Sequence, residues 1–130
     1  MNKRSMLYKT LDTALSIKRP DGGAGVSMFT DWLWCAIPKK HSKKSFRDEF
    51  GNIHVDARQG KHNRTLFIAH VDTVHREDGI NHINKTDKMW IASGAPLGAD
   101  DGAGCAMLMH LLCSGVAAYY IFSQAEECGG

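Results

Sequence analysis

With 130 residues, 43% of them hydrophobic and 23% charged, the chain has the length and make-up of one globular domain with a modest core. A net charge of +2 gives no general reason to expect a nucleic-acid or membrane partner. No apolar run approaches the roughly 20 residues of a membrane span, and Tyr8, Lys9 and Asp12 interrupt the stretch that a signal peptide would keep apolar, so a cytoplasmic location is expected.

Along the chain, Met6, Leu7, Leu11, Ala14, Leu15 and Ile17 recur at near-helical spacing and predict an amphipathic helix over about 5–17. Pro20-Asp21-Gly22-Gly23 stops it. A second helix is predicted over about 24–36, with Val26, Met28, Phe29, Leu33 and Trp34 on its apolar faces and Pro38 beyond its end. Trp32 and Trp34 read as helix packing, and the basic run Lys39-Lys40-His41-Ser42-Lys43-Lys44 as a solvated loop. The period then changes: 45–50 and 53–57 predict two short strands about Gly51-Asn52.

Thr65-Leu66-Phe67-Ile68-Ala69 is a continuous apolar run, as expected of a strand buried on both faces. Residues 76–97 are polar and irregular, with one short strand expected around Met89-Trp90-Ile91-Ala92. A mostly apolar helix follows over about 102–113, with Gly115 where a C-terminal cap belongs, and then an apolar strand over 116–123. Strand, helix and strand with apolar character on both strands argue for an α/β fold: a mixed, largely parallel sheet flanked by helices. Cys35, Cys105, Cys113 and Cys128 show no CxxC spacing and read as free thiols of a reducing compartment.

The residues that carry chemistry share one location. His70, Asp72 and the pair Glu126-Glu127 come immediately past the C-terminal ends of predicted buried strands, the edge at which open α/β sheets bind ligands. Asp100 and Asp101 begin the intervening helix and face the same edge; there they also suit the helix dipole and its exposed N–H groups. Carboxylates gathered around an imidazole repel one another unless a cation sits among them. His70 offers a ring nitrogen, and Asp72, two residues on, is placed to accept the other ring N–H and fix the tautomer. Two glycines after Glu126-Glu127, Gly129 and Gly130, allow a close backbone approach to a ligand. His41, His54 and His62 are scattered without ligand spacing, whereas His75 and His82 lie in the loop near the crevice and read as solvated rather than as ligands.

Taken together, the series 65–74 (Thr-Leu-Phe-Ile-Ala-His-Val-Asp-Thr-Val), 97–104 (Leu-Gly-Ala-Asp-Asp-Gly-Ala-Gly) and 126–130 (Glu-Glu-Cys-Gly-Gly) resembles the zinc-dependent aminopeptidase and carboxypeptidase superfamily. The likeness is greatest to peptidase T-like tripeptidases and to related carboxypeptidases and N-acyl amino-acid deacylases. The resemblance implies an α/β/α sandwich, a co-catalytic pair of Zn²⁺ ions (Co²⁺ or Mn²⁺ being possible occupants) and hydrolysis of a peptide or N-acyl amino-acid substrate. It implies His70 on the first zinc, Asp100 bridging both, Glu127 on the second, Glu126 as general base, and Asp72 as the acid that orients His70. Asp101 would support rather than ligate. In that family each zinc takes a further ligand from later in the chain, so residues 1–130 are expected to be the N-terminal part of a catalytic domain. On their own they would carry an incomplete metal shell and doubtful activity. The alternative is a non-catalytic relative that binds a peptide or a partner chain.

Overall fold

The computed structural model describes residues 3–61 and 63–129; His62 and Gly130, singled out above, lie outside them. In chain order the elements are helix α1 (Lys3–Leu15), strand β1 (Ile17–Lys18), helix α2 (Ala24–Ala36), a 3-10 turn (Lys39–Lys44), and strands β2 (Ser45–Arg47), β3 (Ile53–Asp56) and β4 (Leu66–His70). Strands β5 (Gly79–Ile80), β6 (Ile83–Lys85) and β7 (Trp90–Ala92), helix α3 (Ala99–Cys113), strand β8 (Tyr119–Ser123) and a 3-10 turn (Glu126–Cys128) complete them.

The principal sheet has the order β2-β3-β8-β4. Its β4–β8 pair is parallel, with His70 opposite Ser123, while β3–β8 and β2–β3 are antiparallel. The α/β class and the mixed, helix-flanked open sheet are as expected, but the balance is not largely parallel. The hairpin β2–β3 supplies antiparallel partners on one side, and parallel pairing is confined to β4 and β8.

One face of this sheet holds the core. Ile53, Val55, Ala69, Tyr120 and Phe122 alternate inward along three strands and meet Phe29 and Leu33 of α2 and Met109 and Leu112 of α3. The strand β4 is not buried on both faces, as its unbroken apolar run suggested. Leu66 and Ile68 point away from the helices and are 55% and 59% exposed, so the described residues form two layers rather than a three-layer sandwich. Apolar content alone does not report which faces are covered; that depends on neighbouring elements.

Two helix ends show why the chain folds this way locally. At the C-terminus of α3, Gly115 takes the left-handed conformation (φ +83°), so its N–H reaches Leu112 O and the Val116 N–H reaches Leu111 O, closing the last carbonyls. At the N-terminus of α2 the capping position is Gly23, which has no side chain to offer. Asp78, far along the chain, supplies the acceptors instead: its carboxylate takes the N–H groups of Ala24 (3.1 Å) and Gly25 (2.8 Å).

The β2–β3 connection is organised by Asp48, ahead of the expected Gly51-Asn52. Its carboxylate accepts from Phe50 N, Asn52 N and Asn52 Nδ2 and pairs with His54 Nε2 at 2.9 Å. His54, without ligand spacing in the sequence, also meets the Tyr119 hydroxyl at 3.0 Å and stacks on Phe46. The His54 hydrogen bond, assisted by those from Asn52 and Phe50 and opposed by burial, holds the Asp48 carboxyl down at about 2. A carboxyl depressed in the folded state stabilises fully above its ordinary value near 4 and loses that contribution as pH falls through about 2. Urea unfolding between pH 5 and pH 2 should therefore show a smaller loss of stability for Asp48→Asn than for the parent; equal slopes would dismiss Asp48 as an acid-sensitive element.

Candidate metal centre

Parallel pairing puts the C-terminal ends of β4 and β8 side by side, and the ladder extends one bond further through Val71 N to Ser123 O. His70 ends β4, Asp72 follows it, Glu126 and Glu127 form the turn after β8, and Asp100 and Asp101 open α3 between them. All six acids and bases singled out in the sequence thus sit at one end of the sheet.

One donor atom from each of His70, Asp100 and Glu127 can be chosen so that all three lie within 4.8 Å of one another. His70 is nearly enclosed, with 11% of its side chain exposed, whereas Asp100 is 83% exposed. His70 Nε2 is 2.9 Å from Asp100 Oδ1 and 3.7 Å from Glu126 Oε2. On the other side of the ring, Nδ1 donates to the main-chain oxygen of Asp72 at 2.9 Å. That bond fixes the tautomer, leaving Nε2 with a lone pair aimed at a carboxylate oxygen. Two acceptors so close need a proton or a metal cation on the ring nitrogen. Burial works against the imidazolium, but the Asp100 hydrogen bond, the Asp72 carbonyl and the charges of Asp72 and Asp101 outweigh it and raise the His70 pKa. Glu127 is also pushed up, by desolvation first and then by the charges of Asp100, Glu126 and Asp72, against the pull of His70.

Asp72 is completely buried, and the bond to the imidazole expected of its carboxylate is made by its main-chain oxygen. Its Oδ1 lies 3.4 Å from His70 Nδ1, beyond a good hydrogen bond, and the carbonyl of the same residue takes the ring N–H. The two carboxylate oxygens instead accept the main-chain N–H groups of Glu126 (3.1 Å) and Glu127 (2.9 Å). Asp72 therefore pins one strand-end loop to the other. Just before this turn Ala125 takes φ +60°, a left-handed conformation that costs roughly 1–2 kcal/mol in a residue with a Cβ.

Within α3 the backbone leaves the helical conformation at Asp100 and Asp101, and Asp101 Oδ1 accepts the Gly104 N–H at 2.9 Å where the regular helix resumes. The Asp100–Asp101 peptide bond is cis. Cys105 is buried beside the centre, its Sγ 3.2 Å from His70 O, and burial drives its thiol far up, which keeps it inert. The four cysteines are free thiols.

His75 is not a solvated loop residue. It is 5% exposed, with Nδ1 against the Thr73 hydroxyl and Nε2 2.8 Å from Pro96 O, so both nitrogens are engaged in holding the loop. His82, by contrast, is exposed. The sequence reading missed Arg19, which is fully buried beneath the centre. Its Nε donates to Val71 O at 2.7 Å and its Nη2 to Gly98 O at 2.9 Å, while Nη1 donates to Ala14 O. Desolvation lowers its pKa to about 10 despite Cys105, Asp72 and Asp101 nearby. The available signal was faint: a lone arginine between an apolar helix and a Pro-Asp-Gly-Gly stop.

Among solved structures, an aminoacylhistidine dipeptidase from Vibrio alginolyticus superposes with a TM-score of 0.68 at 23% identity, over 96% of this chain and 28% of that one. A tripeptidase from Staphylococcus aureus (TM-score 0.71, 17% identity) and the aminopeptidase PepT from Bacillus cereus (0.71, 18%) each match 99% of this chain and 38% of their own. The chain has the fold of these peptidases. It spans about a third of their length. No family model and no curated protein matches. Among the described residues of this peptidase-like fold, no helix is long and apolar enough to cross a membrane.

Proposed function

We propose that the chain is the N-terminal part of the catalytic domain of a metal-dependent hydrolase that cleaves peptide or N-acyl amino-acid amide bonds. The observation that carries this reading is the convergence of His70, Asp100 and Glu127 donor atoms within 4.8 Å at the C-terminal edge of β4 and β8. The donor chemistry fits zinc: an imidazole with a fixed tautomer and two carboxylates match the three protein ligands of catalytic zinc sites. Crowding of Asp100, Glu126 and Asp72 about Glu127 also favours a cation. As the family resemblance implies, Asp100 would be a ligand of a zinc pair alongside His70 and Glu127.

A divalent ion held by His70, Asp100 and Glu127 would supply Lewis acidity there, enough to polarise an amide carbonyl and to make water acidic near neutral pH. The chain's own residues do the rest. Asp72, through its carbonyl, holds the His70 Nδ1–H and so turns Nε2 toward the centre. Through its carboxylate it holds the Glu126-Glu127 turn. Glu126, with 59% of its side chain exposed, has a carboxylate open to the crevice and near His70. It acts as the base that takes a proton from attacking water and returns it to the leaving amine. The neighbours named for dipeptides, tripeptides and aminopeptidase activity support a short peptide as substrate. Free thiols support a reducing, cytoplasmic location.

A second reading, a peptide- or partner-binding relative without turnover, is favoured by the donor count among the described residues: the group His70, Asp100 and Glu127 suffices for one ion rather than a pair. Calorimetric titration with Zn²⁺ tests the main reading. Saturable uptake with proton release is expected, weakened about 10–100-fold by Glu127→Ala, while Glu126→Gln keeps the affinity. No saturable uptake by the parent chain would end the metallohydrolase reading. In a protein that turns over peptide, Glu126→Gln should abolish the reaction; retained activity would remove Glu126 as the base.

A further inference from the structure

We infer that Arg19 is the positioning residue of the metal centre, a buried clamp that sets the spacing between His70 and Asp100 through the backbone. This inference rests on the metal-site reading above. The carbonyls that Arg19 grips are not arbitrary. Val71 lies between His70 and Asp72, and Gly98 comes two residues before Asp100, so one planar guanidinium spans the two segments that carry the ligands, at 2.7 and 2.9 Å. The main chain of Arg19 adds a second hold on the first segment, its carbonyl accepting the Thr73 N–H at 2.8 Å. The Phe29 ring lies 5.0 Å beneath the guanidinium carbon and closes the pocket from the core side.

The packing is built around this fork. A Cβ at Gly102 would lie 3.0 Å from Nη2, so the absence of a side chain on the first turn of α3 makes the room that Arg19 occupies. Lysine cannot replace it, since an ammonium on a flexible stem reaches one of these carbonyls but lacks the rigid fork that spans them. A buried arginine engaged with carbonyl oxygens carries a desolvation cost that apolar packing would avoid. Its return is the registration of the two loops that carry His70 and Asp100.

The test compares Arg19→Lys and Gly102→Ala, which crowds the fork without removing it, with Leu33→Ala, a core truncation in α2. Co²⁺ affinity is read by absorbance and calorimetry, and main-chain hydrogen exchange is read in the metal-free chain. Arg19→Lys is expected to weaken Co²⁺ binding about 10–100-fold, with Gly102→Ala in the same direction and Leu33→Ala unchanged at a matched fall in Tm. In the metal-free protein, exchange should accelerate at Val71, Glu126 and Glu127 before it does at Val55. Affinity lost equally in Leu33→Ala, or exchange accelerated evenly across the sheet, would reduce Arg19 to a general stabiliser and overturn the inference. A parent chain that takes up no Co²⁺ would sink the metal reading instead, and the exchange pattern would still decide whether Arg19 clamps these loops.

Discussion

Asp72→Ala is expected to lower the free energy of unfolding by about 3–5 kcal/mol and to abolish metal uptake with it. The carboxylate is fully buried and accepts two main-chain N–H groups from a turn more than fifty positions away. Charge-assisted bonds of this kind contribute roughly 1.5–3 kcal/mol each, and their loss leaves two part-buried donors without their acceptor. Asp72→Asn should be nearly as damaging, because its amide presents one N–H to another N–H. The left-handed Ala125 makes a second prediction inside the first. Without Asp72 nothing offsets its backbone cost, so Ala125→Gly should recover part of the loss in the Asp72→Ala background. Urea titrations of the three variants decide this; an Asp72→Ala protein as stable as the parent would show that the two loops stay joined by other means.

Gly25→Ala is expected to destabilise by about 3 kcal/mol or more, although the same exchange in an ordinary helix stabilises by about 1 kcal/mol. Gly25 lies in the first turn of α2, directly above β1. A Cβ there would sit 1.9 Å from Lys18 O and 3.0 Å from the Ile17 side chain, and the first of these contacts is backbone that cannot swing aside. Relief requires α2 to lift from β1, breaking the Asp78 hydrogen bonds to Ala24 and Gly25. It would also disturb the Arg19 segment immediately beyond β1. A thermal melt distinguishes the outcomes, since a raised Tm would mean that the helix and strand do not meet as described.

Much of this architecture was legible in the sequence because its signals are local. The helix predicted over 24–36 coincides with α2, and Gly115 caps α3 as its position suggested. The convergence of His70, Asp100 and Glu127 was legible for a different reason. Each follows or precedes an apolar element whose direction is fixed by a parallel crossover, so chain order alone carried them to one edge. What sequence could not supply were relations between distant segments. Asp72 was read as a partner for its near neighbour His70, yet its carboxylate is committed to Glu126 and Glu127. His75 looked solvated because it lies in a polar loop, but Pro96 and Thr73 enclose it. Arg19 and Asp78 carry no motif at all; their roles come from carbonyls and N–H groups that exist only once the fold has formed.

The placement of β4 has a consequence for handling the polypeptide in solution. It is the outermost strand of its sheet, and on the side away from β8 its main chain has no strand neighbour among the described elements. Leu66 and Ile68 stand exposed beside that margin, and neither proline nor charge interrupts 65–69. Such a seam is the usual route by which extended chains recruit one another edge to edge, so crowding works against the isolated polypeptide. His70 ends the same strand, so any chain that zips onto the seam also builds a new wall along one flank of the crevice.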